Sequence, residues 1–258
     1  MTEVLASFDR DERREIEYPG TERDVLPNLV RFVRPAPGMS FVLFSDLDER
    51  TADGVIADQI DYFGRRGRPF TWKVYAHDRP ADLVQRLADY GFEIDETDAV
   101  MALDVAVAPQ TLLNPPPAYV RRLTDPAQLA DVVAVLEPVW QKDFTWVYER
   151  LGDHMDIPGY LSVYVAYVAG GPAAVGWTYF NRGRFAGLWG GSTLPEYRGR
   201  GLYTAVLAAR VQEARRRGVS YLTIDAGSMS RPIVARHGFE VISFATDCTW
   251  TPGVSGPA

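Results

Sequence analysis

The segment STLPEYRGRGLYTAVL, residues 192–207, decides how the rest of the chain is read. It follows an apolar strand, RFAGLWGGST (184–193), and Pro195 cannot donate to a sheet ladder, so the strand stops there. Arg198-Gly199-Arg200-Gly201 then turn into a helix whose apolar stripe runs through Leu202, Val206, Leu207 and Val211. Its last turn carries Arg215, Arg216 and Arg217, where the helix dipole favours cations. The glycines let the backbone approach a ligand. The free N–H groups at the helix start, at the positive end of the dipole, form an anion site that fits a pyrophosphate. The plainer reading of the same residues is a tight strand-to-helix turn and nothing more.

Working outward, YLSVYVAYV (160–168) and PAAVGWTYF (172–180) are two strands joined by Ala169-Gly170-Gly171, a hairpin signal. YVRRL (119–123) is a strand, and DPAQLADVVAVLEPVW (125–140) is a helix capped at Asp125 with Pro126 in its first turn. The segment 137–160 is read as irregular, with a break at Pro138. After the long helix come the strand VSYLTIDA (219–226), a short helix SRPIVARHG (230–238) and the strand FEVISFATDCTW (239–250).

The first half carries strands at 28–35, 39–46, 71–77 and 98–105, with helices at 51–67 and 81–91. RRG at 65–67, a strand, a short helix and Gly91-Phe92 match RRG at 216–218, a strand, a short helix and Gly238-Phe239. The order of elements reads as an internal repeat. Between the halves, Pro115, Pro116 and Pro117 remove three donors in succession, and 108–117 is expected to be a linker. The tail 251–258 is expected to be flexible.

With 258 residues and about 150 per domain as a guide, two modest domains are expected. Apolar residues at 47% and charged residues at 24% suit a globular chain with a substantial core. The net charge of −7 divides into −9 for residues 1–110 and +2 for residues 111–258. So slight a basic excess argues against nucleic acid and leaves room for a small anion in the second half. Cys248 is the one cysteine, and His77, His154 and His237 share no ligand spacing, so neither a disulfide nor a metal site is expected. No basic-then-apolar leader and no membrane-length apolar run occurs, so a cytoplasmic protein is expected.

Competing motifs fail on their own residues. There is no Gly-Lys pair for a Walker loop; Thr204 stands where G-x-G-x-x-G needs its last glycine; and Ser192 lies in GGSTL rather than G-x-S-x-G. TLPEYRGRGLY instead resembles the main motif of the GNAT superfamily of acyl-CoA N-acyltransferases, Arg/Gln-x-x-Gly-x-Gly/Ala after a strand ending in proline. Arg198 and Gly201 fall on the pattern, and Tyr203 stands where Gly or Ala is usual. AGSMSRPIVARHGFEVI is similar to the family's final helix and strand.

The resemblance spans about 118–250 and implies a mixed α/β fold, a central mixed sheet flanked by helices, in two GNAT-like lobes: 1–107, degenerate, and 118–250, active. In the first, DLDERTADGVIADQ (46–59) replaces the glycine turn, and its carboxylates would repel a pyrophosphate.

The resemblance further implies acetyl-CoA as co-substrate, no metal, and direct attack by a primary amine on a small molecule or peptide. Thr193, Leu194, Arg198, Gly199, Arg200, Gly201, Leu202, Tyr203 and Ser228 are the expected coenzyme-binding residues, with N-cap as the plainer reading of Ser228. Members of the family often protonate the thiolate with a tyrosine at the position of Val234, which is a departure here. Asp225 and Glu137 are the candidate bases. Trp140, Trp146 and Tyr148, with Phe144, are either core or the wall of an acceptor pocket; Trp177 and Trp189 are read as sheet-face residues. The rival function is a non-enzymatic acyl-CoA sensor or partner-binding module.

Overall fold

The computed structural model describes residues 2–115 and 118–253. The chain forms two compact units. One comprises residues 1–101, 225–231 and 241–258; the other comprises 102–224 and 232–240. The division therefore differs from the expected contiguous lobes. The segment 108–115 belongs to the second unit, including the helix Gln110–Leu113, while Pro116, Pro117 and tail residues 254–258 lie outside the described residues.

The first unit opens with α1 (Thr2–Phe8) and one π-helical turn, Asp9–Arg14. It continues with β1 (Glu22–Val25), β2 (Leu29–Val33), β3 (Ser40–Ser45), α2 (Ala52–Gly64), β4 (Phe70–Tyr75), α3 (Leu83–Asp89), β5 (Glu93–Ile94) and the start of β6 (Asp98–Asp104). The second contains α4 (Gln110–Leu113), β7 (Tyr119–Arg122), α5 (Ala130–Trp140), α6 (Trp146–Met155), β8 (Leu161–Val168), β9 (Gly171–Phe180), β10 (Phe185–Thr193) and α7 (Leu202–Arg216). Then follow β11 (Tyr221–Ala226), α8 (Arg231–Ala235) and β12 (Glu240–Trp250).

Both units hold mixed sheets. In the first, β1, β2 and β3 are antiparallel neighbours, β3 and β4 are parallel, and β12 ladders antiparallel onto β4 from Ala245↔Tyr75 to Trp250↔Phe70. The last strand, expected to close the second lobe, thus completes the first unit, and buried Cys248 joins the core of Phe63, Phe70, Trp72 and Leu87. In the second unit β7, β8, β9 and β10 are antiparallel and β11 runs parallel to β10.

Local chemistry accounts for the element ends. Asp125 and Gln128 form a capping box at the entry to the helical segment ending in α5. Ala169 and Gly170 both take positive φ, 50° and 86°, as a two-residue hairpin turn requires. The repeat appears in the backbone too: Gly67 and Gly218, and Gly91 and Gly238, are left-handed where each helix ends.

Two expectations for 137–160 are corrected. Pro138 sits inside α5, which runs on to Trp140 and ends at left-handed Gln141; a proline so near the C-terminus gives up one bond without breaking the helix. Residues 146–155 are a helix, because Val147, Leu151 and Gly152 form a buried face against Leu129 and Pro126.

Candidate active site

β10 is laddered to β9 along its length but to β11 only at Phe185–Gly187 with Tyr221–Thr223. From Leu188 to Thr193 one edge of β10 has no strand partner among the described residues. The β9 register slips between Trp189↔Trp177 and Ser192↔Val175, so Gly190 and Gly191 form a bulge. Gly190 is left-handed (φ 62°), and a Cβ there would lie 1.8 Å from Trp177 Cζ3.

At the strand end the Leu194 N–H donates to the Ala173 carbonyl at 2.9 Å. That amide is therefore committed to β9, contrary to the expectation that it faces a ligand. Strand alternation turns the Thr193 amide to the unpartnered edge. Its carbonyl accepts from Arg198 Nε at 3.2 Å, and its buried Oγ1 has no hydrogen-bond partner among the described residues.

Pro195–Tyr197 form a single 3-10 turn, after which Gly199 and Gly201 take φ of 73° and 78°. A Cβ at either glycine meets nothing within 4 Å, so the turn is open outward. Gly201 caps α7 without any side-chain acceptor, and among the described residues the N–H groups of 199–203 donate to no backbone carbonyl. Arg200 stacks its guanidinium 5.5 Å from the Tyr197 ring, while Leu202 is buried in the core with Val206 and Tyr164. Unsatisfied amides, open space beside both glycines and the positive helix end could hold the diphosphate of coenzyme A.

The matching place in the first unit is filled from within. Asp48 Oδ1 accepts from the Arg50 and Thr51 N–H groups at 2.8 and 2.9 Å, so a carboxylate already sits at the start of α2, and those backbone bonds hold it below the usual aspartate range. β3 and β4 are paired only at Ser40–Val42 with Phe70–Trp72. Beyond that point Arg13 fills the fork, its Nε donating to the Leu43 carbonyl at 3.1 Å and its Nη2 to both Asp78 oxygens at 2.7 Å. The Arg13 guanidinium also lies 3.9 Å from the Tyr75 ring and donates to Asp9 at 2.7 Å. A cavity of about 280 Å³ remains beside it.

The other expected residues divide. Trp140 joins the β10 edge by donating Nε1–H to Ser192 Oγ at 3.0 Å, and it is half exposed. Trp146 and Tyr148 at the start of α6 are exposed, with Arg150 5.0 Å above the Trp146 ring; neither is core. Glu137 Oε1 accepts from the Phe144 N–H at 3.4 Å and so ties down the loop after α5.

Asp225 and Ser228 belong to the first unit. Asp225 is ion-paired with Lys73, and Asp247 Oδ1 is 4.0 Å from the same nitrogen. Burial pulls the Lys73 ammonium down, but these carboxylates outweigh it and hold its pKa above the ordinary lysine value. Ser228 is exposed in a turn, and α8 starts three residues later, so it is not the N-cap. Val234 is fully buried and offers no proton.

Residues given no functional role from sequence also shape the site: the bulge glycines, Ser192, half-exposed Trp189, read only as a sheet-face residue, and Arg210, whose guanidinium is buried beside Tyr203. The signal available was GG at 190–191, a pair inside a strand. Among the described residues no group of side chains could hold a metal ion, and no helix is long and apolar enough to cross a membrane.

Residues 115–229 match the family model described as acetyltransferase (GNAT) domain. Among solved structures, a GCN5-related N-acetyltransferase from Kribbella flavida aligns over 98% of this chain and 95% of its own with a TM-score of 0.71 at 14% identity. A functionally unknown conserved protein from Staphylococcus epidermidis gives 0.67 over 91% and 96% at 10% identity. A tandem GNAT protein from the clavulanic acid biosynthesis pathway gives 0.63 over 93% and 86% at 16% identity. Comparison with curated proteins gives no match. At such identities the structures speak for the fold, and the family model for the segment that carries the glycine turn: the chain has the tandem GNAT fold, and residues 115–229 are a GNAT acetyltransferase domain.

Proposed function

We propose that the protein transfers an acetyl or other short acyl group from its coenzyme A thioester to a primary amine by direct attack. The observation that carries this reading is the β10 edge left open after Gly187, running straight into the uncapped glycine turn of α7. The amides of 199–203 would hold the diphosphate, and the unpartnered β10 backbone, the Thr193 amide included, would bond the amide-bearing pantetheine arm as a neighbouring strand would. The bound thioester supplies the activated acyl carbon. The chain's own work is to position that carbon and the amine, a contribution of up to several kcal/mol, on the order of 7–11 for ideal alignment.

Trp140, Trp146, Tyr148 and Trp189 present exposed rings in the second unit, which suits an acceptor with an apolar or aromatic body. Glu137 is the base candidate belonging to that unit. The first unit, with Asp48 and Arg13 occupying the places a coenzyme would need, serves as support rather than as a second transferase. The same reading takes the enzyme as cytoplasmic.

Buried Val234, where a tyrosine is usual, favours the rival sensor reading. Coenzyme A thiol release from acetyl-CoA across a panel of small and peptidyl amines separates the two. Amine-dependent release supports the enzyme; tight binding with no release for any amine overturns it in favour of the sensor.

A further inference from the structure

Two neighbouring strands of the second unit are hollowed at one place. A Cβ on Gly176 of β9 would lie 2.8 Å from Arg210 Cζ, and one on Gly191 of β10 would lie 3.0 Å from Tyr203 Cε2. Tyr203 Oη and Arg210 Nη2 are each 3.7 Å from that same Gly191 position, so phenol and guanidinium meet beneath the bulge. Tyr203 and Arg210 are seven residues apart on α7 and share a face of it.

Arg210 is 1% exposed, and no carboxylate pairs with it among the described residues. Its Nε and Nη1 reach the Val206 and Trp177 carbonyls only at 3.4 and 3.5 Å, and Nη2 makes no hydrogen bond among the described residues. A buried, undercompensated cation is costly, and it is better matched by an anion than by the neutral phenol now beside it. Loss of the Tyr203 proton would create that anion. Because guanidinium has donors only, the phenol proton is turned away from Arg210. The phenol ring lies against Gly191, in the β10 stretch that has no β11 partner.

We propose that Tyr203, with Arg210 as its buried counter-charge, donates the proton taken up by the sulfur of the leaving coenzyme A. The proposal rests on the acyl-transfer reading above. The amine nitrogen forms the new bond to the acyl carbon, the carbon–sulfur pair departs with sulfur, and sulfur takes the Tyr203 proton. The amine attacks as the free base; once bonded to the acyl carbon its nitrogen carries a surplus proton, which passes to water, and one returns from water to the phenolate. Arg210 acts through Tyr203 and is a positioning residue.

Burial raises the Tyr203 pKa, partly offset by Arg210, so the phenol is protonated at neutral pH. The other titratable group facing it is His237, 6.5 Å away ring to ring and held below its ordinary value by burial and Arg236. β9 and β10 add no titratable side chain at Gly176, Gly190, Gly191 or Ser192.

The test uses the full chain with Tyr203→Phe. Its kcat should fall about 100-fold with KM for acetyl-CoA unchanged, and the alkaline decline of kcat, where the wild type loses the phenol proton, should vanish. Independently of turnover, calorimetry at alkaline pH should find that wild type prefers coenzyme A over desulfo-coenzyme A by about tenfold, and that the variant has no preference. Should Y203F not fold, 3-fluorotyrosine at position 203 must move the alkaline limb to lower pH. A variant within threefold of wild type, an unmoved limb, or equal affinity of wild type for the two coenzymes overturns the proposal. A wild type without amine-dependent thiol release overturns the acyl-transfer reading and this proposal with it.

Discussion

Gly190→Ala and Gly199→Ala change two left-handed glycines by the same methyl group, and the structure assigns them different costs. At Gly199, φ is 73° and a Cβ meets nothing within 4 Å, so the loss is the backbone penalty alone, about 1–2 kcal/mol. At Gly190, φ is 62° and the methyl falls 1.8, 2.1 and 2.4 Å from three atoms of the Trp177 indole. Trp177 is 5% exposed and packed with Leu129, Val163 and Leu161, so it cannot swing into solvent. Overpacking a core typically adds about 1–3 kcal/mol, which brings Gly190→Ala to about 2–5 kcal/mol. Thermal unfolding followed by circular dichroism reads the difference, at roughly 3–5 °C per kcal/mol for a unit of this size. The Gly190 variant should melt several degrees below the Gly199 variant. Equal melting temperatures would mean that Trp177 does not pin the bulge.

Arg13→Ala leaves Asp78, nearly buried, without its bidentate partner, and urea denaturation should find a loss of about 3–5 kcal/mol. A loss under about 1 kcal/mol would place that pair among inconsequential surface contacts. Burial, with Asp247 and Asp95 adding to it, pushes the Cys248 thiol up to about 12, so native protein at pH 8 should not react with an aromatic disulfide reagent until denaturant is added; rapid native labelling would contradict the placement of β12 in the first-unit core. Trp140→Ala, which removes a half-exposed ring and its bond to Ser192, should raise the KM for the acceptor amine several-fold and leave acetyl-CoA affinity unchanged. The reverse pattern would move Trp140 to the coenzyme side.

Residues whose neighbours are local in sequence could be read from it. The β8–β9 hairpin, the capping box at Asp125 and the glycine turn at 199–201 each depend on residues within a few positions, and each stands where the sequence puts it. Long-range pairings could not be read. DRDERR at 9–14 looks like a solvated charge run, yet Arg13 is fully buried because Asp78, 65 residues away, pairs with it. Asp225 looks like a free carboxylate at a strand end until Lys73, 152 residues away, is placed beside it. The course of β12 into the first unit likewise rests on a ladder to β4 that no local pattern encodes. α6 was hidden because its buried face is only Val147, Leu151 and Gly152, while its aromatic residues Trp146 and Tyr148 face outward.

The proposed function requires one coenzyme site per chain, at the glycine turn of α7. Isothermal titration of the full chain with acetyl-CoA tests it, beside Gly201→Asp, which sets a carboxylate where the diphosphate would lie. The wild type should bind one equivalent, and the variant should bind at least about 100-fold more weakly, because a carboxylate facing the diphosphate is repulsive. Two equivalents, or a Gly201→Asp chain that binds as tightly as the wild type, would contradict it.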